Sequence, residues 1–298
     1  MFTNLQVYRL AQNWACSIED LEQQLERLRF IECPSNQPSS RGWVNSSKES
    51  GLVLSQGKQW LLTLMHQERL LPGDVVKEAV QKRIQEIEDK ERRSPGRKEK
   101  REIKERVVEE LLPTAFLRSR KTQVWIDPVD RWLVINAATP AKADLVLESL
   151  RQSLDIFPAK PLHTNQSPQS GMAGWLSANE APGAMTIDRN CELAEVGESQ
   201  GKIKYTNITL DHEEIKGHLS EGKLPVSLAM TWDDRLSFIL THQMSIKKLT
   251  YLDIIKEEAD QNADAAGILS DFALMTGELR RLLPVLVDAL GGEVTENA

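Results

Sequence analysis

Residues 72–113 constrain the fold most. Pro72 opens a helical segment in which Val76, Val80, Ile84 and Ile87 recur at helical spacing. Ser94-Pro95-Gly96 interrupts it. Residues 97–112 resume the pattern with Ile103, Val107 and Leu111 on one face, and Pro113 stops the second helix. Two charged helices joined by a Ser-Pro-Gly turn form an αα-hairpin arm. The rest of the chain must supply the body that carries it.

That body reads as strands and helices in alternation. Residues 3–10 and 59–70 read as strands, and residues 122–138 as two strands around Asp127-Pro128-Val129-Asp130. Residues 17–30 form a helix with Ser17 and Asp20 as an N-cap pair and Ile18, Leu21, Leu25 and Leu28 on one face. Residues 33–51 read as a polar loop, and residues 155–170, with three prolines, as a loop at a boundary. Thr139 and Pro140 start a further helix as N-cap and N1. In the second half, residues 201–210 predict a strand, 211–222 a capped helix ending at Gly222, and 224–253 three antiparallel strands. Residues 276–292 predict a terminal helix with Leu279, Leu282, Leu283, Leu286 and Leu290 on its apolar face and a kink at Pro284. The expected class is α+β with mainly antiparallel strands. The expected regions are a central β-rich part (1–72 and 114–163), the helical arm (73–113) and a C-terminal sheet and base with the terminal helix (164–298).

Few chemistries fit. His212, Glu213 and His218 lack zincin spacing, because Lys216 stands where the second histidine would be needed. The Gly-Lys within residues 199–205 has no earlier P-loop glycine, and neither GxGxxG nor GxSxG occurs. Asp127 with Asp130, and Asp233 with Asp234, sit in expected hairpin turns, where aspartate is favoured for backbone hydrogen bonding over metal binding. The five histidines show no ligand spacing. Cys16, Cys33 and Cys191 are odd in number and lack a CxxC pair, which argues for reduced thiols rather than a disulfide framework or thiolate metal site. No catalytic residue, metal or cofactor is expected. No stretch of 18 apolar residues and no signal-peptide layout is seen, so a cytoplasmic protein without membrane spans is expected.

The charge is unevenly placed. The net charge is −7, yet residues 77–121 carry 15 Lys and Arg against 10 Asp and Glu, leaving 22 basic and 34 acidic residues elsewhere. Arg97, Lys98, Lys100 and Arg101 lie in a cluster around the turn of the arm, and Arg118, Arg120 and Lys121 follow the second helix. Such a distribution lets one surface bind a polyanion while the others repel it. It equally fits a solvated helix laced with i,i+4 ion pairs. Phe116, between the arm and the next strand, reads either as core packing at a junction or as an exposed apolar wedge beside phosphate-holding arginines.

The order of landmarks resembles the RdgC family of bacterial recombination-associated proteins. The resemblance rests on NLQVYRL near the start, GWV at 42–44, LLPTAF at 111–116, WID at 125–127, AKADLVLESLRQSL at 141–154, EEIKGHLSEGK at 213–223 and LMTGELRRLLPVLVDALGGE at 274–293. It spans nearly the entire chain. The resemblance implies a non-enzymatic, nucleoid-associated protein that binds double-stranded DNA without sequence preference. It implies a horseshoe monomer with tip, centre and base, closing with a second copy into a ring-shaped homodimer with a positively charged hole. Bound so, such proteins limit the access of RecA to DNA. The arm would be the tip, and the apolar face of 276–290 would serve the base as core or dimer interface. Phe116 matches the family's phenylalanine at a DNA-exposed finger. Thr114 stands where the family often has arginine, leaving Arg118, Arg120 and Lys121 to supply the phosphate contact. Thr206, Asn207 and Ile208 depart from the family's Lys and Gln, with Lys202 and Lys204 just upstream as substitutes. The competing readings are a scaffold that offers its charged arm to an acidic partner, and a divergent nuclease using the aspartate pairs.

Overall fold

A computed structural model describes residues 1–48, 50–195, 201–253, 255 and 267–294. β1 (Leu5–Leu10) precedes α1 (Ile18–Leu25) with its 3₁₀ turn (Glu26–Leu28), then β2 (Ser39–Val44), β3 (Val53–Gln56) and β4 (Gln59–Leu70). The pair α2 (Gly73–Glu91) and α3 (Arg97–Leu111) leads through a 3₁₀ turn (Leu112–Thr114) into β5 (Phe116–Asp127) and β6 (Trp132–Asn136). α4 (Pro140–Ser153), β7 (Ala159–Pro161) and α5 (Pro168–Ala178) come next. The remainder is β8 (Met185–Glu195), β9 (Lys202–Tyr205), α6 (His212–Ser220), β10 (Lys223–Trp232), β11 (Leu236–Thr241), β12 (Ser245–Tyr251) and α7 (Ile268–Ala289). The fold is α+β, with seven α-helices among the described residues.

The twelve strands make one antiparallel sheet. Its order is β2-β4-β5-β6-β1-β12-β11-β10-β8-β9, with β3 also on β4 and β7 also on β1. Period-two alternation gives each face its own core. Leu62, Leu64, Val124, Ile126, Leu133 and Ile135 point to one face and pack with α1 and α4. In α4, Ala143, Val146, Leu147 and Leu150 form the i, i+3, i+4, i+7 stripe that this face buries. Leu61, Trp125 and Val134 point to the other face, where α5, α6 and α7 cover the strands of the second half. The arm has a small core of its own, Val76, Ile84, Ile103 and Val107. Each buried aliphatic side chain stabilises by about 1.5–3 kcal/mol, enough to hold two helices together at the margin of the molecule.

The two expected helices run over Gly73–Glu91 and Arg97–Leu111 on either side of the Ser94-Pro95-Gly96 break, and Arg92 ends α2 in the left-handed region (φ 51°) with its N–H on the Glu88 carbonyl. Ser17 caps α1 through the Asp20 N–H. Several expectations need correction. Residues 39–44, read as loop, are β2. Gly42 lies where its strand meets the Phe30 backbone, and a Cβ there would come 2.5 Å from the Phe30 Cα. Such close approach explains a glycine inside a strand. β5 begins at Phe116 and not at 122. The strand expected over 201–210 stops at Tyr205, and Asn207 turns the chain at φ 55°. α7 begins at Ile268 and continues through Pro284. β3, β8 and most of α5 carry no mark in the sequence, and residues 159–161, within the expected loop 155–170, form β7 against β1. Ser199 and Gln200 lie outside the described residues.

Candidate nucleic-acid interface

β4 and β5 pair along their whole lengths, from Trp60↔Ile126 to Leu70↔Phe116. β6 borders β5 only over residues 124–127, so the outer edge of residues 116–123 carries no strand among the described residues. β2 flanks β4 on the other side, from Val44↔Thr63 to Ser39↔Glu68. The result is a three-stranded ribbon running out of the core, with residues 116–121 all exposed. Phe116 is 83% exposed and its partner Leu70 38%. The core-packing alternative for Phe116 is therefore overturned. An aromatic so exposed at a ribbon end contributes little to the fold by burial.

The side chains of Arg118 and Arg120 lie on the same face of the ribbon as Phe116, continuing the row Val124, Ile126. Arg118 Nε donates to Glu68 Oε1 at 2.8 Å. That hydrogen bond holds the Glu68 carboxyl below its ordinary range. Arg120 faces His66, which in turn faces Arg41 on β2. With Lys121 and Lys142 they line a cleft of about 490 Å³ between the ribbon and the start of α4. Arg41 pairs with Glu148 at 2.8 Å. Arg120, Lys121 and Lys142 have no ion-pair partner among the described residues, so their charge is available to an anion. The sequence does not single out Arg41 or Lys142 as part of a charged cleft, and reads His66 only as a histidine without ligand spacing. The alternation Arg41-Gly42-Trp43, paired against His66 and Leu64, is the signal that would have found Arg41.

One residue fixes the root of the arm. The Arg69 guanidinium donates to the carbonyls of Leu112, Pro113 and Ala115 at 3.3–3.4 Å, and to those of Cys33 and Pro34 at 3.3 Å. It thereby ties the end of α3, the start of β5 and the loop before β2 to β4. Carbonyls at a helix C-terminus carry partial negative charge, which favours a cation there. Beside it, Leu71, Val76, Val80, Val108 and Leu112 line an apolar groove of about 630 Å³.

The other expected cations lie apart from the ribbon. Arg97, Lys98, Lys100 and Arg101 occupy the first turns of α3, whose 15 residues put them about 15–21 Å from its ribbon end. Arg101 pairs with Glu105 at 2.9 Å, whereas the other three have no ion pair among the described residues. Like charge at a helix N-terminus opposes the macrodipole, so this cluster does not serve the helix. Lys202 and Lys204 are on β9, seven strand steps from β5, about 34 Å across the sheet. Lys202 lies 3.7 Å from Glu192. The sheet places Lys204 on the same face as Arg120, because Ile203 and Tyr205 turn to the opposite core.

The aspartate pairs do turn chemistry. Asp127, fully buried, accepts the N–H groups of Val129 and Asp130 on Oδ1, at 2.9 and 3.0 Å. Its Oδ2 lies 3.0 Å from Arg280 Nε, which also donates to Asp130 at 2.8 Å. Asp233 and Asp234, in the three-residue turn between Trp232 and Leu236, both have positive φ, 52° and 50°, a conformation that aspartate adopts more readily than most side chains. Among the described residues no group of three or more His, Cys, Asp or Glu side chains is placed to hold a metal ion. No helix among them is long and apolar enough to cross a membrane.

The sequence matches a family model described as "Putative exonuclease, RdgC" over residues 1–293. It is 50% identical over 300 residues to the "Recombination-associated protein RdgC" of Dechloromonas aromatica (strain RCB), with 99% of each chain covered. It is 45% identical to the protein of the same name from Janthinobacterium sp. (strain Marseille) and 44% to that from Herminiimonas arsenicoxydans, each with 98% of both chains covered. The names of these relatives state an association with recombination and no enzymatic activity. Matched from end to end by model and relatives alike, the chain belongs to the RdgC family of recombination-associated proteins.

Proposed function

We propose that this chain binds double-stranded DNA without sequence preference and acts in recombination by holding DNA rather than by cutting it. The observation that carries the reading is the ribbon end. A phenylalanine 83% exposed stands in line with Arg118 and Arg120, above a cleft whose Arg120, Lys121 and Lys142 have no ion pairs among the described residues. Cations neutralise phosphates, and an apolar side chain touches sugars or bases without reading sequence. Arg97, Lys98, Lys100 and Arg101 on the arm and Lys202 and Lys204 on β9 extend the cationic surface.

The assembly proposed is a homodimer in which two horseshoe monomers meet through the arm (73–113) at one end and the region of α7 at the other. Two such isologous contacts close a ring, and duplex DNA passes through its hole. A ring on DNA obstructs the RecA filament and so restrains strand exchange. This places the protein in the cytoplasm, on the nucleoid. No cofactor is needed. Against a nuclease reading of the family's description, Asp127 is engaged with the turn N–H groups and Arg280, Asp130 with Arg280, and Asp233 with Arg281. The test is equilibrium binding to a random-sequence duplex across a salt series with Mg²⁺ present. For about 6–10 phosphate contacts, log K falls against log salt with a slope of roughly −5 to −9, and the DNA stays intact. Absence of binding at low salt, or cleavage of the duplex, contradicts the reading.

A further inference from the structure

Among the described residues, β8, β10, β11 and β12 are covered on one face only. Their apolar residues, among them Leu228, Met230, Leu240 and Ile246, turn to α5, α6 and α7. The opposite face, carpeted by Ser227, Ser237, Thr241 and Thr250, forms an open cleft of about 690 Å³. This is the face of the sheet that carries Arg120 in the ribbon, since β1 joins the halves with Val7 in one core and Tyr8 in the other. Asn4 lines both this cleft and the ribbon cleft, so the two surfaces are continuous.

β12 breaks its alternation on that face. Ile246 and Leu249, three residues apart, both enter the core. Ile239 faces Lys247 and Ser237 faces Thr250, so β12 has one residue more than β11 between the same two pairs. The extra residue is a β-bulge, and bulges re-aim side chains. Lys248 takes the left-handed conformation at φ 51°, which lysine rarely adopts. The bulge is pinned from the N-terminal segment. Lys248 N donates to Asn4 Oδ1 at 3.4 Å and Leu249 N to the Thr3 carbonyl at 2.8 Å. In a regular strand, adjacent lysines would point to opposite faces, and one would enter the core. Here both lie on the open face, and neither has an ion pair among the described residues. The acidic groups nearby are engaged: Glu192 lies beside Lys202, and Asp188 accepts the Thr231 hydroxyl at 2.9 Å.

We propose that the Lys247–Lys248 bulge is a second contact for the phosphodiester backbone of duplex DNA. The backbone runs from the ribbon cleft across Asn4 to this pair, with Lys204 beyond. The proposal rests on the DNA-binding reading and adds to it a strained element whose effect is to put two adjacent cations on one face.

The test is a Lys247→Gln, Lys248→Gly variant, in which glycine accepts the positive φ without strain. Binding of a random-sequence duplex is measured across a salt series beside the unmodified protein and a Lys216→Gln control on the exposed side of α6. Loss of two phosphate contacts makes the slope of log K against log salt shallower by about 1.8, with the control unchanged. Lys247→Glu alone, which leaves the bulge residue in place, lowers affinity in the same direction. A variant that melts like the unmodified protein and keeps its slope overturns the bulge contact while leaving the ribbon reading intact. Failure of the unmodified protein to bind overturns both.

Discussion

Arg118 on β5 is held by Glu68 directly across the ribbon, Nε to Oε1 at 2.8 Å. One of the cations nearest Phe116 is thus already neutralised in the free protein. A phosphate must compete with the carboxylate for it. Glu68→Gln removes that competitor, and the expected result is tighter DNA binding with a salt slope steeper by about 0.9, one additional phosphate. Unchanged affinity across the salt series would take Arg118 out of the interface. The same pair has a small pH signature. A carboxyl held low in the folded chain adds stability above its unfolded pKa, and that stability is lost as pH falls through the folded value. For an exposed pair it amounts to under about 1 kcal/mol.

Phe116→Ala separates contact from packing. The side chain is 83% exposed, so the melting temperature should hold, with a stability change within about 0.5 kcal/mol. DNA affinity should fall for every sequence tested. Thermal melts and binding titrations on the same preparation check both, and a large drop in stability with unaltered binding would reverse the assignment.

Arg69→Ala should loosen the root of the arm. Five backbone carbonyls lose their shared donor, at a cost of about 1–2 kcal/mol given the length of the bonds. Hydrogen exchange should rise in residues 31–38 and 112–116 and not in α4. Lys at this position should rescue only partly, because an ammonium lacks the planar fork that reaches several carbonyls at once. Exchange that does not change at these segments would show that the arm is held by its apolar contacts alone.

The arm's own charge is tested by replacing Arg97, Lys98, Lys100 and Arg101 with Glu. Of the four, only Arg101 has an ion pair among the described residues, so the helix should keep its stability to within about 1 kcal/mol. Affinity should drop alike for all duplexes, and unchanged affinity would remove the arm from the DNA surface.

The arm was legible because its two helices repeat at 3.6 residues and are punctuated by Pro72, Ser94-Pro95-Gly96 and Pro113, which are local signals. The ribbon was not. Residues 116–121 face solvent on both sides, so no burial alternation marks them as strand, and their pairing is with β4, across the arm and some fifty positions away. β2 hid for a similar reason, its serines and Gly42 reading as loop until Phe30 is seen against them. The basic residues were identifiable by type, yet only the sheet shows that Arg120, Lys204 and Lys247 share a face. The pair Ile246 and Leu249, three apart inside an alternating strand, was a readable sign of the bulge.

DNA that passes through a closed protein dimer, as proposed above, can be released only at a free end. The measurement that tests this most directly compares retention on a linear random-sequence duplex and on a covalently closed circle of the same sequence, after a shift to high salt, with the mass of the free protein taken by light scattering. The predicted result is a dimer that leaves the linear duplex by sliding off its ends and stays on the circle. A monomer, or equal loss from both forms, would contradict it.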